Sequence, residues 1–119
     1  MHVLIAQNDS SREVLAELLR GDGFEVSTAR DERQAEKLLS LRRPDAIILE
    51  LQRTNLDSIQ WFRDVCRSGV EIPIVVMSSL SHYAGDAIRD GASEFFSKPI
   101  DYSRLLGFLR SMVTDASLP

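Results

Sequence analysis

The chain has 119 residues, of which 44% are hydrophobic and 27% charged, and this balance fits one globular domain with a single core. Its formal net charge of -4 argues against nucleic-acid binding by this domain, because such binding depends on clustered Lys and Arg. A single cysteine, Cys66, excludes an internal disulfide and a cysteine-based metal site. The apolar run at the N-terminus is too short for a signal peptide or membrane span, so we expect a cytoplasmic protein with no membrane partner.

Short apolar runs alternate along the chain with stretches of helical periodicity. The apolar runs predict strands over residues 3–6, 24–28, 46–49, 72–77 and 94–97. The periodic stretches predict helices over residues 10–20, 31–41, 58–67, 81–90 and 101–113. Because a helix follows every strand, we expect right-handed crossovers and a parallel sheet in an α/β domain over residues 1–113. Residues 114–119 have no apolar period and are predicted to be a tail or the start of a linker.

Several local signals make sharper predictions. Ser10 and Glu13 have the spacing of a helix capping box. Trp61 lies beside the apolar stripe of the third helix, so we expect it to be partly exposed, either packing at the periphery or contacting a partner. The residues predicted to face inward include Val14, Leu15, Leu18 and Leu19 in the first helix, Ala84, Ala87 and Ile88 in the fourth, and Leu105, Leu106, Leu109, Met112 and Val113 in the last.

Polar side chains follow four of the predicted strands. In parallel sheets, function is concentrated at the carboxyl ends of the strands. The residues at these ends are Gln7, Asn8 and Asp9 after the first strand, Glu50 after the third, Ser78 and Ser79 after the fourth, and Lys98 after the last.

These strand ends carry a resemblance to a known family. Residues 44–51 (PDAIILEL) resemble the segment that ends in the phosphoacceptor Asp of the receiver domains of bacterial response regulators. Residues 72–79 (IPIVVMSS) resemble the strand that ends in the switch Ser or Thr, and residues 91–99 (GASEFFSKP) resemble the closing motif with its Lys-Pro pair. The resemblance implies a flavodoxin-like (βα)5 three-layer sandwich with strand order 2-1-3-4-5.

The sequence departs from this family where the phosphoryl group would be received. Glu50 stands at the phosphoacceptor position, and its extra methylene moves the carboxylate by about a bond length. The acid pair that holds Mg²⁺ in the family is replaced by Gln7 and Asn8, or by Ala6 and Gln7 if the first helix sets the register. Asp9 is the only carboxylate next to these positions in the sequence, and it could cap the first helix rather than contribute to a metal site. We therefore expect Mg²⁺ binding to be weak or absent, with no metal site and no other cofactor.

Other family positions are retained. Lys98 matches the family lysine, and Ser78 and Phe95 match the two switch residues. We expect Lys98 and Glu50 to form an ion pair, which either fixes the surrounding loops as a phosphorylated receiver does or serves only as a structural contact. Ser78 could merely close a turn and Phe95 could merely fill the core. The resemblance also implies a cis peptide bond before Pro99, with an ordinary trans proline as the alternative.

The sequence supports a signalling module rather than an enzyme, with no catalytic residues. The first hypothesis is a degenerate, phosphorylation-independent receiver in which Glu50 imitates phosphoaspartate. The second is a conventional phosphoacceptor receiver that uses Glu50 or Asp57 and regulates a transcriptional output domain. A third, a flavodoxin-like enzyme or nucleotide binder, lacks a phosphate loop and a nucleophile–base pair.

The resemblance also predicts the partners. We expect a protein partner or a homodimer, with a histidine kinase or an output domain among the candidates. The expected surface is formed by the fourth helix, the last strand and the last helix. Its candidate contact residues are Tyr83, Arg89, Asp90, Phe95, Tyr102 and Arg104.

Overall fold

The computed structural model describes residues 1–7, 10–51 and 56–117 of the chain. The strands are β1 (His2–Ala6), β2 (Glu25–Ala29), β3 (Ala46–Glu50), β4 (Ile74–Ser78) and β5 (Glu94–Ser97). The helices are α1 (Ser11–Gly21), α2 (Glu32–Leu41), α3 (Leu56–Arg67), α4 (Ala84–Asp90) and α5 (Tyr102–Ser117), and a 3-10 turn over Ser81–Tyr83 precedes α4. All paired strands are parallel, in the order β2-β1-β3-β4-β5, which confirms the predicted flavodoxin-like fold.

The sheet is covered on both faces. Successive residues of a strand point to opposite faces, so the two apolar sets of each central strand enter two separate cores. On one face, Val3 and Ile5 of β1 pack with buried residues of α1 and α5. On the other face, Leu4 and Ala6 pack with buried residues of α2, α3 and α4. The continuous apolar runs of the sequence are therefore explained by burial on both sides.

The predicted inward faces of α1 and α4 are partly wrong. In α1, Ala16 and Leu19 are fully buried, whereas Val14 is 62% and Leu18 46% exposed. Each residue turns the helix by roughly 100°, so Leu18 lies well off the side that Leu19 presents to the sheet. In α4, Ala87 is buried and Ile88, the next residue, is 48% exposed for the same reason.

The predicted capping box at the start of α1 is also wrong. Ser10 has helical dihedrals (φ -70°, ψ -11°), and its side chain makes no capping hydrogen bond. The backbone N–H of Glu13 instead donates to the backbone oxygen of Ser10 at 3.1 Å. A capping side chain requires an extended backbone at the cap residue, and Ser10 does not have one. By contrast, Asp31 caps α2 in the expected way, accepting from the backbone N–H of Gln34 at 2.8 Å.

Trp61 is buried, at 8% exposure, so the expectation of partial exposure is wrong. Its indole Nε1 donates to Glu36 Oε1 at 2.5 Å, which joins α3 to α2. The helical period of α3 alone could not reveal this, because the residues that cover Trp61 come from other elements. Trp61 therefore packs within the core rather than at its periphery.

Element ends differ from the prediction by a few residues. Glu50 is the last residue of β3 rather than a loop residue, and β4 begins only after Pro73, whose nitrogen cannot donate a ladder hydrogen bond. Helix α5 continues to Ser117, four residues into the predicted tail, and the side chain of Val113 lies outside the described residues. Among the residues that the structure describes, no helix is both long and apolar enough to cross a membrane.

Gly91 closes α4 in a backbone conformation that other residues rarely adopt, with φ +123°. A Cβ at this position would lie 2.8 Å from Cys66 Sγ on α3. We expect Gly91→Ala to lower the free energy of unfolding by about 1–3 kcal/mol, measured by chemical denaturation. Gly107→Ala is the matched control. Gly107 lies within α5 with nothing near its Cβ position, so this change should raise stability by about 0.5–1 kcal/mol. Equal effects at both glycines would contradict this account.

Candidate functional site at the carboxyl ends of the strands

The sheet register brings the predicted site residues to one edge. Ala6 pairs with Leu49, Glu50 with Met77, and Ser78 with Ser97. Gln7, Glu50, Ser78 and Lys98 therefore lie at or just beyond the carboxyl ends of four neighbouring strands. Asn8 and Asp9, the other two residues of the predicted acid-pocket segment, lie outside the described residues.

Glu50 and Lys98 form the predicted ion pair. Lys98 Nζ lies 2.5 Å from Glu50 Oε2, and the Glu50 side chain is only 3% exposed. The Lys98 side chain is 30% exposed, so its stem lies against the protein while part of it remains near solvent. A buried carboxylate needs charge compensation and hydrogen bonds, and Lys98 supplies both.

Gln7 is a second donor to the same carboxylate. Its Nε2 donates to Glu50 Oε2 at 2.6 Å and to Ser11 Oγ, at the start of α1, also at 2.6 Å. Gln7 Oε1 is buried and has no hydrogen-bond partner in the part of the chain that the structure describes. In the sequence, Gln7 was interpreted only as the replacement of a family acid. Its role as a donor could have been predicted from the side-chain amide, which can donate to a carboxylate where an ionised acid cannot.

Ser78 and Phe95 have ordinary structural contacts in this conformation. Ser78 is buried, and its Oγ accepts from the backbone N–H of Leu80 at 3.1 Å, which closes the turn after β4. Phe95 is half-buried and packs against the core formed with α2, α3 and α4. Their switch roles stay predictions. The peptide bond before Pro99 is cis, as the resemblance implied.

Within the described residues, which exclude positions 8–9 and 52–55, the donors that contact Glu50 Oε2 do not suit Mg²⁺. This ion prefers oxygen ligands in near-octahedral geometry. Here two N–H donors, from Gln7 and Lys98, occupy Glu50 Oε2. The described residues also contain no group of three or more His, Cys, Asp or Glu side chains that could hold a metal ion. Gln7 Nε2 and Lys98 Nζ therefore supply hydrogen bonds to the Glu50 carboxylate from within the chain.

A groove of about 270 Å³ adjoins the ion pair between α1 and the start of α5. Gln7, Ser11 and Lys98 line its polar part, and the exposed apolar residues Val14 and Leu18 line its outer part. Tyr102 also lines the groove, and its hydroxyl donates to Asp22 Oδ2, just after α1, at 2.7 Å. The assignment of Tyr102 to the surface of α4, β5 and α5 is therefore wrong, because the side chain is engaged on the α1 side.

Tyr102 is expected to make the stability of the domain depend on pH in the alkaline range. Desolvation and the hydrogen bond to Asp22 raise its pKa from 10.0 to about 12. The folded state therefore holds this proton more tightly than the unfolded state, and the associated stability is lost as pH rises from about 10 through about 12. We expect Tyr102→Phe to flatten part of this decline in denaturant unfolding measured across that range. Phenolate absorbance that titrates at the ordinary pKa in the wild type would contradict it.

Comparison with known proteins identifies the family. The profile of the response regulator receiver domain matches residues 3–110, so the chain belongs to this family. It is 28% identical over 121 residues to Response regulator MprA of Mycolicibacterium vanbaalenii, covering 95% of this chain and 50% of that protein. It is 27% identical over 125 residues to Transcriptional regulatory protein ZraR of Escherichia coli O157:H7, covering 98% of this chain and 28% of that protein.

A solved structure agrees with this assignment. The receiver domain of NtrX from Brucella abortus superposes with a TM-score of 0.83 at 26% identity, covering 94% of this chain and 98% of that one. The chain is thus a receiver domain of the two-component response regulator type, homologous to transcriptional regulators. It spans half or less of the length of the two curated relatives named above.

Proposed function

We propose that this chain is a pseudo-receiver, a signalling module that acts by protein–protein interaction without aspartyl phosphorylation. The observation that carries this proposal is the double donation to Glu50 Oε2 by Lys98 Nζ and Gln7 Nε2. The phosphoacceptor-equivalent position holds a longer carboxylate, and that carboxylate is buried and already paired. The Glu50 carboxylate thus makes the contact to Lys98 that a phosphoryl group would otherwise make.

The proposal includes a constitutive conformation. A phosphorylated receiver gains negative charge at the acceptor position, and local charge of this kind biases switch elements. Glu50 carries its charge about one bond length further than Asp would. In this hypothesis the Glu50–Lys98 pair holds the loops after β3 and β5 in the arrangement that the partner recognises. Ser78 and Phe95 complete that arrangement through packing, and the protein is not an enzyme.

The proposed partner is another protein or a second copy of the chain. The surface of α4, β5 and α5 is the candidate interface, and Ile88 exposes 48% of its surface there. Exposed charged residues lie on the same elements, including the Arg89–Asp86 pair within α4 and Arg104 on α5. Histidine kinases and output domains are the partner classes that the family suggests. We propose a cytoplasmic location and no nucleic-acid or membrane contact by this domain.

A metal titration tests the proposal. We expect Mg²⁺ added to the ¹⁵N-labelled domain to cause no saturable shift of the Gln7, Glu50 or Lys98 amides at low millimolar concentration, because the described neighbours of the Glu50 carboxylate are the nitrogens of Gln7 and Lys98 rather than oxygen ligands. The double variant Gln7→Asp and Glu50→Asp is the positive control, since it replaces the amide and shortens the acid. Saturable wild-type shifts at these three amides would contradict the pseudo-receiver reading.

The second candidate is a conventional phosphoacceptor receiver that regulates an attached or partner output domain. Membership of the family favours it, as does the name of the relative ZraR, a transcriptional regulatory protein. It would require Glu50 or Asp57 to accept the phosphoryl group. The side chain of Asp57 lies outside the described residues, so the contacts of Glu50 carry the choice between the two candidates.

A further inference from the structure

A series of side-chain contacts crosses the site from α1 to the loop before α5. Ser11 Oγ accepts from Gln7 Nε2 at 2.6 Å, and the same nitrogen donates to Glu50 Oε2 at 2.6 Å. Lys98 Nζ then donates to that carboxylate oxygen at 2.5 Å. Gln7 is the member that links α1 to the ion pair, because it contacts both Ser11 and Glu50.

The orientation of the Gln7 amide is fixed by chemistry. An ionised carboxylate only accepts hydrogen bonds, so Gln7 must present its NH₂ group to Glu50. This orientation leaves Gln7 Oε1 buried without a partner among the described residues, although Gln7 as a whole is only 5% exposed. A buried unpaired acceptor is destabilising, and a methionine of the same length would not carry one. The amide therefore carries the cost of one unpaired acceptor together with the two hydrogen bonds that its NH₂ group donates to Glu50 and Ser11.

We propose that Gln7 is a positioning residue: it holds the Glu50 carboxylate where Lys98 meets it and connects α1 to the β5–α5 loop. This inference rests on the proposed function, in which the Glu50–Lys98 pair sets the conformation of the site. Two donors on one carboxylate oxygen restrict its rotation more than one donor does. Without Gln7, the carboxylate gains freedom, and the 30%-exposed Lys98 side chain spends more time in solvent.

The chain offers an internal control for a test by amine reactivity. It has two lysines, Lys98 and Lys37, and Lys37 is exposed on α2 away from the site. Acetylation by a succinimidyl ester, followed by peptide mass spectrometry, gives the modification rate of each. In the wild type we expect Lys98 to react more slowly than Lys37. In Gln7→Met, the Lys98 rate should rise about two- to tenfold, the range that corresponds to losing one hydrogen bond of ordinary net strength, while the Lys37 rate stays constant.

Two further variants separate positioning from mere packing. Gln7→Asn keeps the amide but shortens it, so its Lys98 rate should fall between those of wild type and Gln7→Met. Ser11→Ala should raise the Lys98 rate in the wild-type background and have no effect in the Gln7→Met background, because the connection passes through Gln7. Thermal unfolding should show Gln7→Met folded, with a midpoint no lower than that of Lys98→Met.

The outcomes are distinguishable. A Lys98 rate that is unchanged in Gln7→Met and Gln7→Asn, but raised in Glu50→Gln, overturns the role of Gln7 and leaves the ion pair intact. A rate unchanged in Glu50→Gln as well overturns both the inference and the ion-pair basis of the proposed function. Phosphoryl uptake by the wild type would contradict the proposed function alone, because the reactivity comparison uses unphosphorylated protein.

Discussion

Lys98→Met is expected to destabilise the domain by about 1–4 kcal/mol, because it leaves the Glu50 carboxylate buried without its cation. Glu50 is 3% exposed, so water cannot replace the lost ammonium without a rearrangement of the site. The reverse change, Glu50→Gln, leaves a lysine whose side chain is 30% exposed, and this cation can reach solvent. We therefore expect Glu50→Gln to cost less, about 1 kcal/mol or below. The asymmetry between the two variants follows from their unequal burial.

A double-mutant cycle on these two residues measures their interaction. We expect a coupling free energy of about 1–3 kcal/mol from urea unfolding of the four proteins. The Arg89–Asp86 pair on α4 is the matched control, since its side chains are 78% and 57% exposed. An exposed pair three residues apart in a helix should couple by only about 0.2–0.5 kcal/mol. Similar coupling in the two cycles would show that the Glu50–Lys98 pair is an ordinary surface contact.

Glu50→Ala is expected to weaken self-association or partner binding about tenfold, a change within the usual range of coupling between distant sites. In the proposed function, the ion pair between Glu50 and Lys98 holds the loop that leads into α5, and the candidate interface is formed by α4, β5 and α5. Sedimentation equilibrium measures the homodimer constant directly. If the chain is monomeric, the same comparison applies to its binding of a kinase or output domain.

The control for this prediction must lose stability without touching the site. Val26→Ala is suitable, because β2 lies at the edge of the sheet opposite β5. Val26 is half-buried, so truncation should cost about 1 kcal/mol through lost packing. We expect no change in association for Val26→Ala. If association weakened equally in Glu50→Ala and Val26→Ala, the effect would arise from lost stability, and Glu50 would have no signalling role.

The parallel sheet could be predicted from local pattern, whereas the strand order and the ion pair came from the resemblance to a known family. Continuous apolar runs separated by helical periods require a parallel sheet, and parallel strands end at one edge. Glu50 and Lys98 follow two of those runs, but β4 lies between β3 and β5, so the runs alone do not pair them. The resemblance to receiver domains supplied the expectation that these two positions face one another.

Contacts between distant elements could not be predicted in this way. Trp61 was expected to be partly exposed because the period of α3 says nothing about the residues of α2, from which its partner Glu36 comes. The Tyr102–Asp22 contact joins residues 80 positions apart. The role of Gln7 depends on which atom of its amide faces Glu50. An ionised carboxylate only accepts hydrogen bonds, so the NH₂ group must face it once the two side chains are in contact.

Intact-mass spectrometry after treatment with phosphoramidate or an acyl phosphate, in the presence of Mg²⁺, tests the central claim most directly. A receiver domain with Asp at the acceptor position, treated in parallel, verifies the donor. We predict that the wild-type chain keeps its unmodified mass, because Glu50 is buried and paired with Lys98 and Gln7. A phosphoryl adduct that disappears in Glu50→Gln, or in Asp57→Asn, would contradict the pseudo-receiver account and establish a conventional receiver.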